Sequence, residues 1–535
     1  MDRSKLTFSG ETADSLAAMR PIEAARDILR RVANDQEKNR LVWFVLIGLL
    51  YLIATALYAV RKFRFDELAT FYLARLPGMG TLWKALMEGA DFNPPLLYAA
   101  TRAAIAAFGT GEYAVRVPAI LGFFVLCSGL YVFVSRRAGT SYGFAAMLLP
   151  MVTGAFVYAT EARAYGMMLG FSGVALVAWQ RANDRSRRTG WLVLMTSSLT
   201  GALLTHCYAV LMLVPFGLGA LVRDYNRRKI DSGLWLCLVI PLFAIISYLP
   251  LLAAVKPFAV DNSVFRPDLY SFSKFYDFLL STALWPLFGG AVMVAFAADR
   301  TRRAQWREVL PPHELAAAFG FLLVPVLAIL LGVLVSHIFM LRYGLGAVIG
   351  VAILVSAGPS ALTGRSKAVG AAIVLLLAGW FVCSTAAWAA GLFAAPQEEA
   401  LLGKVPFERL HPELPVVISS GLLFLEMDHY APPAVASRLC YLMDEAIARK
   451  KTGADVFDKG FLVSRRWYPI RGHLEDYRSF LAAHPKFLLY GYSSFELDWL
   501  IPQLIEDGAK MTYLGKRGPS KYQTVLFEVE SPGKH

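Results

Sequence analysis

The chain has 535 residues, of which 56% are hydrophobic and only 17% charged, against roughly 25% charged in a soluble domain. The formal net charge is +13. The basic residues gather in short loops between apolar runs, which is the positive-inside pattern of a membrane protein and argues against a nucleic-acid partner. The five cysteines contain no CxxC, which argues against a disulfide framework and a thiolate metal site.

Residues 1–40 are polar and charged, and 13–32 predict an amphipathic helix with Leu16, Met19, Ile22, Ala25, Ile28 and Leu29 on one side, lying on the inner leaflet. A bilayer core of about 30 Å takes roughly 20 apolar residues as helix. Residues 41–60 meet this without a charge, and their length from Leu41 onward predicts a signal-anchor, not a cleaved signal. Residues 61–118 mix charges with short apolar stretches. The run 94–108 carries Arg102, and counting it as a span would invert every later loop against the positive-inside rule. This region therefore reads as helices along the outer membrane face.

Further spans are predicted at 119–135, 142–160, 164–180, 233–255, 278–298, 315–336, 343–360 and 368–390, with 191–222 as two short spans meeting near His206 and Cys207. The expected fold is a polytopic α-helical membrane protein of about eleven spans. With a cytoplasmic N-terminus, the loops bearing Arg136 and Arg137, then Arg181, Arg185, Arg187 and Arg188, then Arg223, Arg227, Arg228 and Lys229, fall inside. So do Arg300, Arg302, Arg303 and Arg307, and Arg365 with Lys367. The expected domains are a cytoplasmic segment 1–40, a membrane core 41–390 and an exoplasmic α/β domain 391–535. The last shows β-like 415–420, helical 434–450, β-like 486–492, helical 495–507 and a strand pair near 511–529. It lacks a phosphate-binding glycine fingerprint, which argues against a nucleotide site.

Ionisable residues collect at the outer ends of the spans, where they are functional candidates by default. They are Asp66 and Glu67, Asp91 before Pro94-Pro95-Leu96-Leu97-Tyr98, the element Phe108-Gly109 to Glu112, Arg116 and Pro118, then Tyr158 and Glu161-Ala162-Arg163-Ala164-Tyr165, His206, His337 and Arg342-Tyr343. Read without outside comparison, each has a structural alternative. Arg116 pairs with Glu112 at i,i+4, Glu161 pairs with Arg163, Arg342 snorkels, and the histidines pack at the interface. No HExxH spacing argues for zinc.

An acidic pair after the first span, then PPLxY, FGxxExxxRxP, ExRxY and a late RY pair, in that order and on one side, resembles the membrane glycosyltransferases of the type C fold. The nearest group is the bacterial protein-mannosyltransferase-like and lipid A aminoarabinose transferase-like family, over roughly residues 41–345. The resemblance implies a polyprenyl-phosphate-sugar donor, used outside the cytoplasmic membrane on a glycolipid, glycan or protein acceptor. It implies Asp66 as catalytic carboxylate, matching the family's first-loop aspartate, with Glu67 beside it. A lipid phosphate leaving group calls for fixed positive charge and paired donors. Arg163, Arg342 and Arg116 fit that need, with Tyr165 and Tyr343 as added donors and Glu161, Asp91 and His206 as acceptor contacts or supports. Some relatives use a divalent metal, but no ligand set for one is placed here. The competing readings are a transporter or lipid flippase, against which stands the absence of an internal repeat, and a non-catalytic envelope assembly protein.

Overall fold

The computed structural model describes residues 11–183, 187–259, 265–298, 306–394, 410–517 and 523–531. Arg185, Arg300, Arg302 and Arg303, named above as inner-loop charges, lie outside the described residues, as do the side chains of Leu16, Met19 and Ile22.

The membrane part runs α1 (Glu11–Lys38), α2 (Arg40–Ala59), α3 (Phe65–Ala74), α4 (Gly78–Met87), α5 (Leu96–Phe108), α6 (Glu112–Ala138), α7 (Thr140–Val152), α8 (Ala164–Ala182), α9 (Arg188–Thr205) and α10 (Leu213–Arg227). It continues with α11 (Ser232–Val239), α12 (Phe243–Ala259), α13 (Ser271–Leu280), α14 (Leu284–Ala297), α15 (Trp306–Val309), α16 (Pro312–Leu322), α17 (Val324–Leu331), α18 (Ala347–Leu362) and α19 (Lys367–Ala394). Among the described residues, six helical stretches are long and apolar enough to cross a bilayer: 40–59, 112–138, 207–227, 232–254, 271–297 and 367–391. A seventh, 312–336, is bent by 45° at Leu323. The expected count of eleven is therefore not reached on length and apolarity alone. The runs 142–160 and 343–360 form helices shortened by 3-10 turns, at Gly154–Ala159 and Leu341–Gly344.

The core of the bundle is the contact between α6 and α8, and it is made by glycines. A Cβ on Gly122 would lie 2.6 Å from Met167 Cα, and one on Gly170 would lie 2.8 Å from Gly122 Cα. Small residues four apart let two backbones touch, the usual means of packing helices where lipid removes the hydrophobic drive. Helix α1 continues past the expected amphipathic stretch 13–32 to Lys38. Its last turns dock on the bundle, with Gln36 Oε1 accepting from Ser141 Oγ at 2.6 Å and Glu37 paired with Lys367.

The C-terminal part is a six-stranded sheet, β1 (Val416–Ile418), β2 (Leu439–Met443), β3 (His473–Asp476), β4 (Lys486–Tyr492), β5 (Lys510–Arg517) and β6 (Thr524–Glu530). The order is β3-β2-β1-β4-β6-β5; the first four of these strands are mutually parallel, β6 runs antiparallel to β4, and β5 antiparallel to β6. Helices α20 (Gly421–Tyr430), α21 (Pro433–Ala436), α22 (Glu445–Thr452), α23 (Val456–Trp467), α24 (Tyr477–Ala483) and α25 (Leu500–Glu506) connect or flank the strands. The stretch expected to be helical over 434–450 instead contains β2. LCYLM is a short continuous apolar run, which periodicity cannot assign to strand or helix. The short β3 was not expected.

One face of the sheet packs on its own helices around Val417, Leu489 and Phe480. The other shares a single apolar core with the segment 61–118: Val416, Phe424, Leu439 and Phe461 join Leu68, Phe71, Leu82 and Leu97. The sheet domain thus sits directly on α3 to α5.

Candidate active site

The site is built on α3. Arg64 is its N-cap in extended conformation. Asp66 and Glu67 occupy the first turn, where negative charge suits the helix dipole. Glu67 folds back so that its Oε2 accepts from the Arg64 amide at 3.1 Å, as a capping-box residue does. At the far end, Arg102 on α5 donates to the carbonyls of Ala74 and Leu76, satisfying groups the last turn leaves open.

Glu67 and Arg116 form a buried pair that ties three segments together. Arg116 Nε donates to Glu67 Oε1 at 2.7 Å and Nη2 to Oε2 at 2.8 Å. Arg61 Nη1 reaches Oε2 at 3.1 Å, and the Ala162 amide reaches Oε1 at 2.9 Å. Burial pushes the Glu67 carboxyl up, but Arg116 and Arg61 outweigh it and hold it below the usual range. The rest of the Arg116 guanidinium is spent on the carbonyls of Ala59, Arg61 and Lys62. Arg116 is 0% exposed, so the phosphate contact expected of it is not available. Nor does it form the expected pair with Glu112, which instead accepts from the Tyr430 hydroxyl at 3.0 Å.

One residue earlier in α3, Asp66 is part-buried, with 36% of its side chain exposed. Arg342 Nη1 lies 3.0 Å from its Oδ2, and Arg163 Nη1 donates to its backbone carbonyl at 3.0 Å. Burial raises the Asp66 carboxyl, yet the two guanidinium charges prevail and keep it below the ordinary value. Arg163 is held by Asp91, with contacts of 2.7 and 3.3 Å, and by Thr70 Oγ1 at 3.1 Å. Its expected partner Glu161 is elsewhere, 3.9 Å from Arg64. Glu161 is raised by burial and by the neighbouring Glu67 charge. The Nε–H groups of both Arg163 and Arg342 are buried without a hydrogen-bond partner among the described residues.

Around Arg342 lies an aromatic wall. Its guanidinium is 5.9 Å from the Tyr165 ring centre. Tyr165 packs on His206 and Tyr158, and Tyr343 stacks on Tyr208 at 4.0 Å. His206 Nδ1 accepts from the Tyr208 amide at 3.1 Å, so in the neutral ring the proton sits on Nε2. His337 is exposed, in a left-handed conformation, in the segment before Arg342. Among the described residues no group of three or more His, Cys, Asp or Glu side chains is arranged to hold a metal ion.

The structure therefore brings Asp66, Glu67, Asp91, Glu161, Arg163, Tyr165, His206, Arg342 and Tyr343 to one locus, with Arg116 beneath it. Three groups at the site were not singled out from the sequence. Arg61 follows the first span directly and was open to notice. Glu426 and Tyr430 come from the sheet domain, with Glu426 Oε1 accepting from the Phe65 amide at 3.0 Å and Tyr430 Oη from the Phe63 amide at 2.6 Å. No motif marks either of them.

The fold joins a helical membrane bundle, an acidic pair after its first long apolar helix, arginines at the same locus and a sheet domain packed beside them. Residues 93–252 match the sequence model of the dolichyl-phosphate-mannose-protein mannosyltransferase family. Two solved structures of ArnT from Cupriavidus metallidurans, one apo and one bound to undecaprenyl phosphate, are similar over the whole fold. Each is 15% identical over 92% of this chain and 98% of theirs, with TM-scores of 0.50 and 0.49. No curated protein matches the chain. The resemblance to type C glycosyltransferases rests on the motifs, this family match and the shared fold together.

Proposed function

We propose that the protein is a glycosyltransferase that moves a sugar from a polyprenyl-phosphate donor to an acceptor at the outer face of the cytoplasmic membrane, with the N-terminus inside and the sheet domain outside. The observation that carries this reading is Asp66, a part-exposed carboxylate flanked by two arginines whose Nε donors are unspent. The matched family is named for a sugar carried on dolichyl phosphate, which supports a lipid-phosphate leaving group. The fold likeness at 15% identity supports the architecture only.

In this mechanism the donor phosphate sits against Arg163 and Arg342, with Tyr165 and Tyr343 beside it, and the prenyl chain leaves sideways into the bilayer. Fixed guanidinium charge stabilises the phosphate as the glycosidic bond breaks, and no proton needs to be supplied to it. Asp66 faces the sugar carbon, where it accepts the proton of the attacking acceptor hydroxyl and offsets oxocarbenium charge. Arg342 serves both partners. When phosphate recruits it, Asp66 loses its nearest cation and becomes a stronger base at the moment the base is needed. Glu67, saturated by five donors, and Asp91, clamped on Arg163, hold the geometry.

The test uses purified protein in lipid with a panel of radiolabelled polyprenyl-phosphate sugars and membrane extract. Wild type is expected to transfer label, and Asp66→Asn and Arg163→Ala to abolish transfer with the fold intact. No turnover with any donor, or turnover indifferent to Asp66, would remove the assignment.

A further inference from the structure

We infer that Glu426, on the sheet domain, is a positioning residue for Asp66: it caps the helix that carries the reacting carboxylate and so makes the outer domain part of the active site. This rests on the transferase reading above and extends it to a domain for which neither the motifs nor the matched segment 93–252 gives a role.

The geometry is direct. An α-helix leaves its first amides without internal partners, and at the start of α3 the Phe65 amide is satisfied by Glu426 Oε1 at 3.0 Å, across 361 residues of sequence. Phe65 itself is gripped by the same domain, its ring 5.6 Å from Phe457 and 6.3 Å from Phe461 on α23. Two more contacts from α20 bracket the helix: Tyr430 Oη accepts from the Phe63 amide at 2.6 Å, and Tyr72 bonds His429 Nδ1 at 2.7 Å. A single helix of the outer domain therefore fixes α3 just before, at and beyond the residue that precedes Asp66. Transfer reactions are sensitive to such placement, since an error of about 1 Å at a reacting group costs on the order of 100-fold in rate.

Glu426 is also a titrating contact. Burial raises its carboxyl to about 7, against the pull of the Phe65 amide and of Arg64. The charges facing it are Arg64 and Arg61 before α3 and Glu67 within it. When ionised, Glu426 gives a charge-assisted bond and places negative charge at the helix N-terminus, and both tighten the cap. The chemical step should therefore speed up as pH rises through about 7.

The experiment compares wild type, Glu426→Ala and Glu426→Gln in lipid, reading kcat, KM for donor, the pH profile of kcat and hydrogen exchange of the amides at 63–70. The expected result for Glu426→Ala is a fall in kcat of roughly 10- to 100-fold, donor KM changed less than about twofold, and faster exchange at Phe65. Gln keeps an acceptor oxygen and cannot ionise. It should recover most of the rate, and its profile should lack the rise near 7. An alanine variant equal to wild type in kcat and exchange, or a glutamine variant that keeps the pH rise, overturns the inference. If wild type transfers no sugar, the transferase reading falls, while the exchange data still decide whether Glu426 holds α3. If the alanine variant does not fold, the glutamine profile decides.

Discussion

Replacing Glu67 with glutamine removes one charge and reverses one hydrogen-bonding group at the most committed position in the site. The carboxylate accepts from Arg116 twice, from Arg61, and from the Arg64 and Ala162 amides. A glutamine can keep its oxygen towards Arg116 Nε and Ala162, but its NH2 then faces the Arg116 Nη2, Arg61 and Arg64 donors. Arg116 is fully buried, so no water replaces the lost acceptor. Removing one member of such a pair costs about 3–5 kcal/mol. An unfolding entropy of about 2.1 cal/mol/K per residue over 535 residues gives roughly 1 °C per kcal/mol, so the apparent Tm should drop by roughly 3–5 °C. The assay is a thermal scan of purified protein in detergent, with Asp66→Asn beside it. Asp66 is partly exposed and its carboxylate meets one arginine, so its variant should lose activity with its Tm nearly unchanged, as a solvent-accessible pair is worth at most about 1 kcal/mol. A Glu67→Gln Tm within about 2 °C of wild type would refute the view that this residue holds the loop, and would return it to the candidates for chemistry.

Gly170→Ala should lower the Tm clearly and Gly217→Ala should not, because a Cβ at Gly170 meets the backbone of Gly122 and one at Gly217 meets nothing within 4 Å; equal shifts would contradict the close α6–α8 packing. Since Asp66 is held below the ordinary carboxylate value by Arg342 and Arg163 against burial, the final acid limb of kcat/KM, beyond the partial step that Glu426 sets near 7, should lie below the ordinary carboxylate range. Arg342→Gln should move that limb upward, and an unmoved limb would mean that another group sets it. Glu67, also depressed, contributes stability that is complete above its unfolded value of about 4.3 and is lost as pH falls through its lower folded value. The segment 61–75 should therefore keep its protection from hydrogen exchange at pH 5.

Much of the protein was legible in the chain itself. Uncharged runs of bilayer length and the loop arginines mark a multi-pass membrane protein, because burying a charge in lipid is costly enough to shape every span. Asp66, Arg163 and Arg342 stand out for the same reason. The late strands β4 to β6 are readable from short apolar and aromatic runs separated by polar segments. Tertiary structure alone decided which of these charges do similar work and which do not. Asp66 and Glu67 are neighbours in sequence, yet successive helical residues point about 100° apart, so one stays part-exposed beside Arg342 and the other is buried under Arg116 and Arg61. Arg116 and Arg163 look alike as lone arginines at span ends, but one is spent on carbonyls and Glu67 while the other keeps a free Nε. The union of Phe65 with Glu426 lies beyond sequence reading altogether, because a backbone amide and a carboxylate hundreds of residues apart meet only when the sheet domain closes over the membrane core.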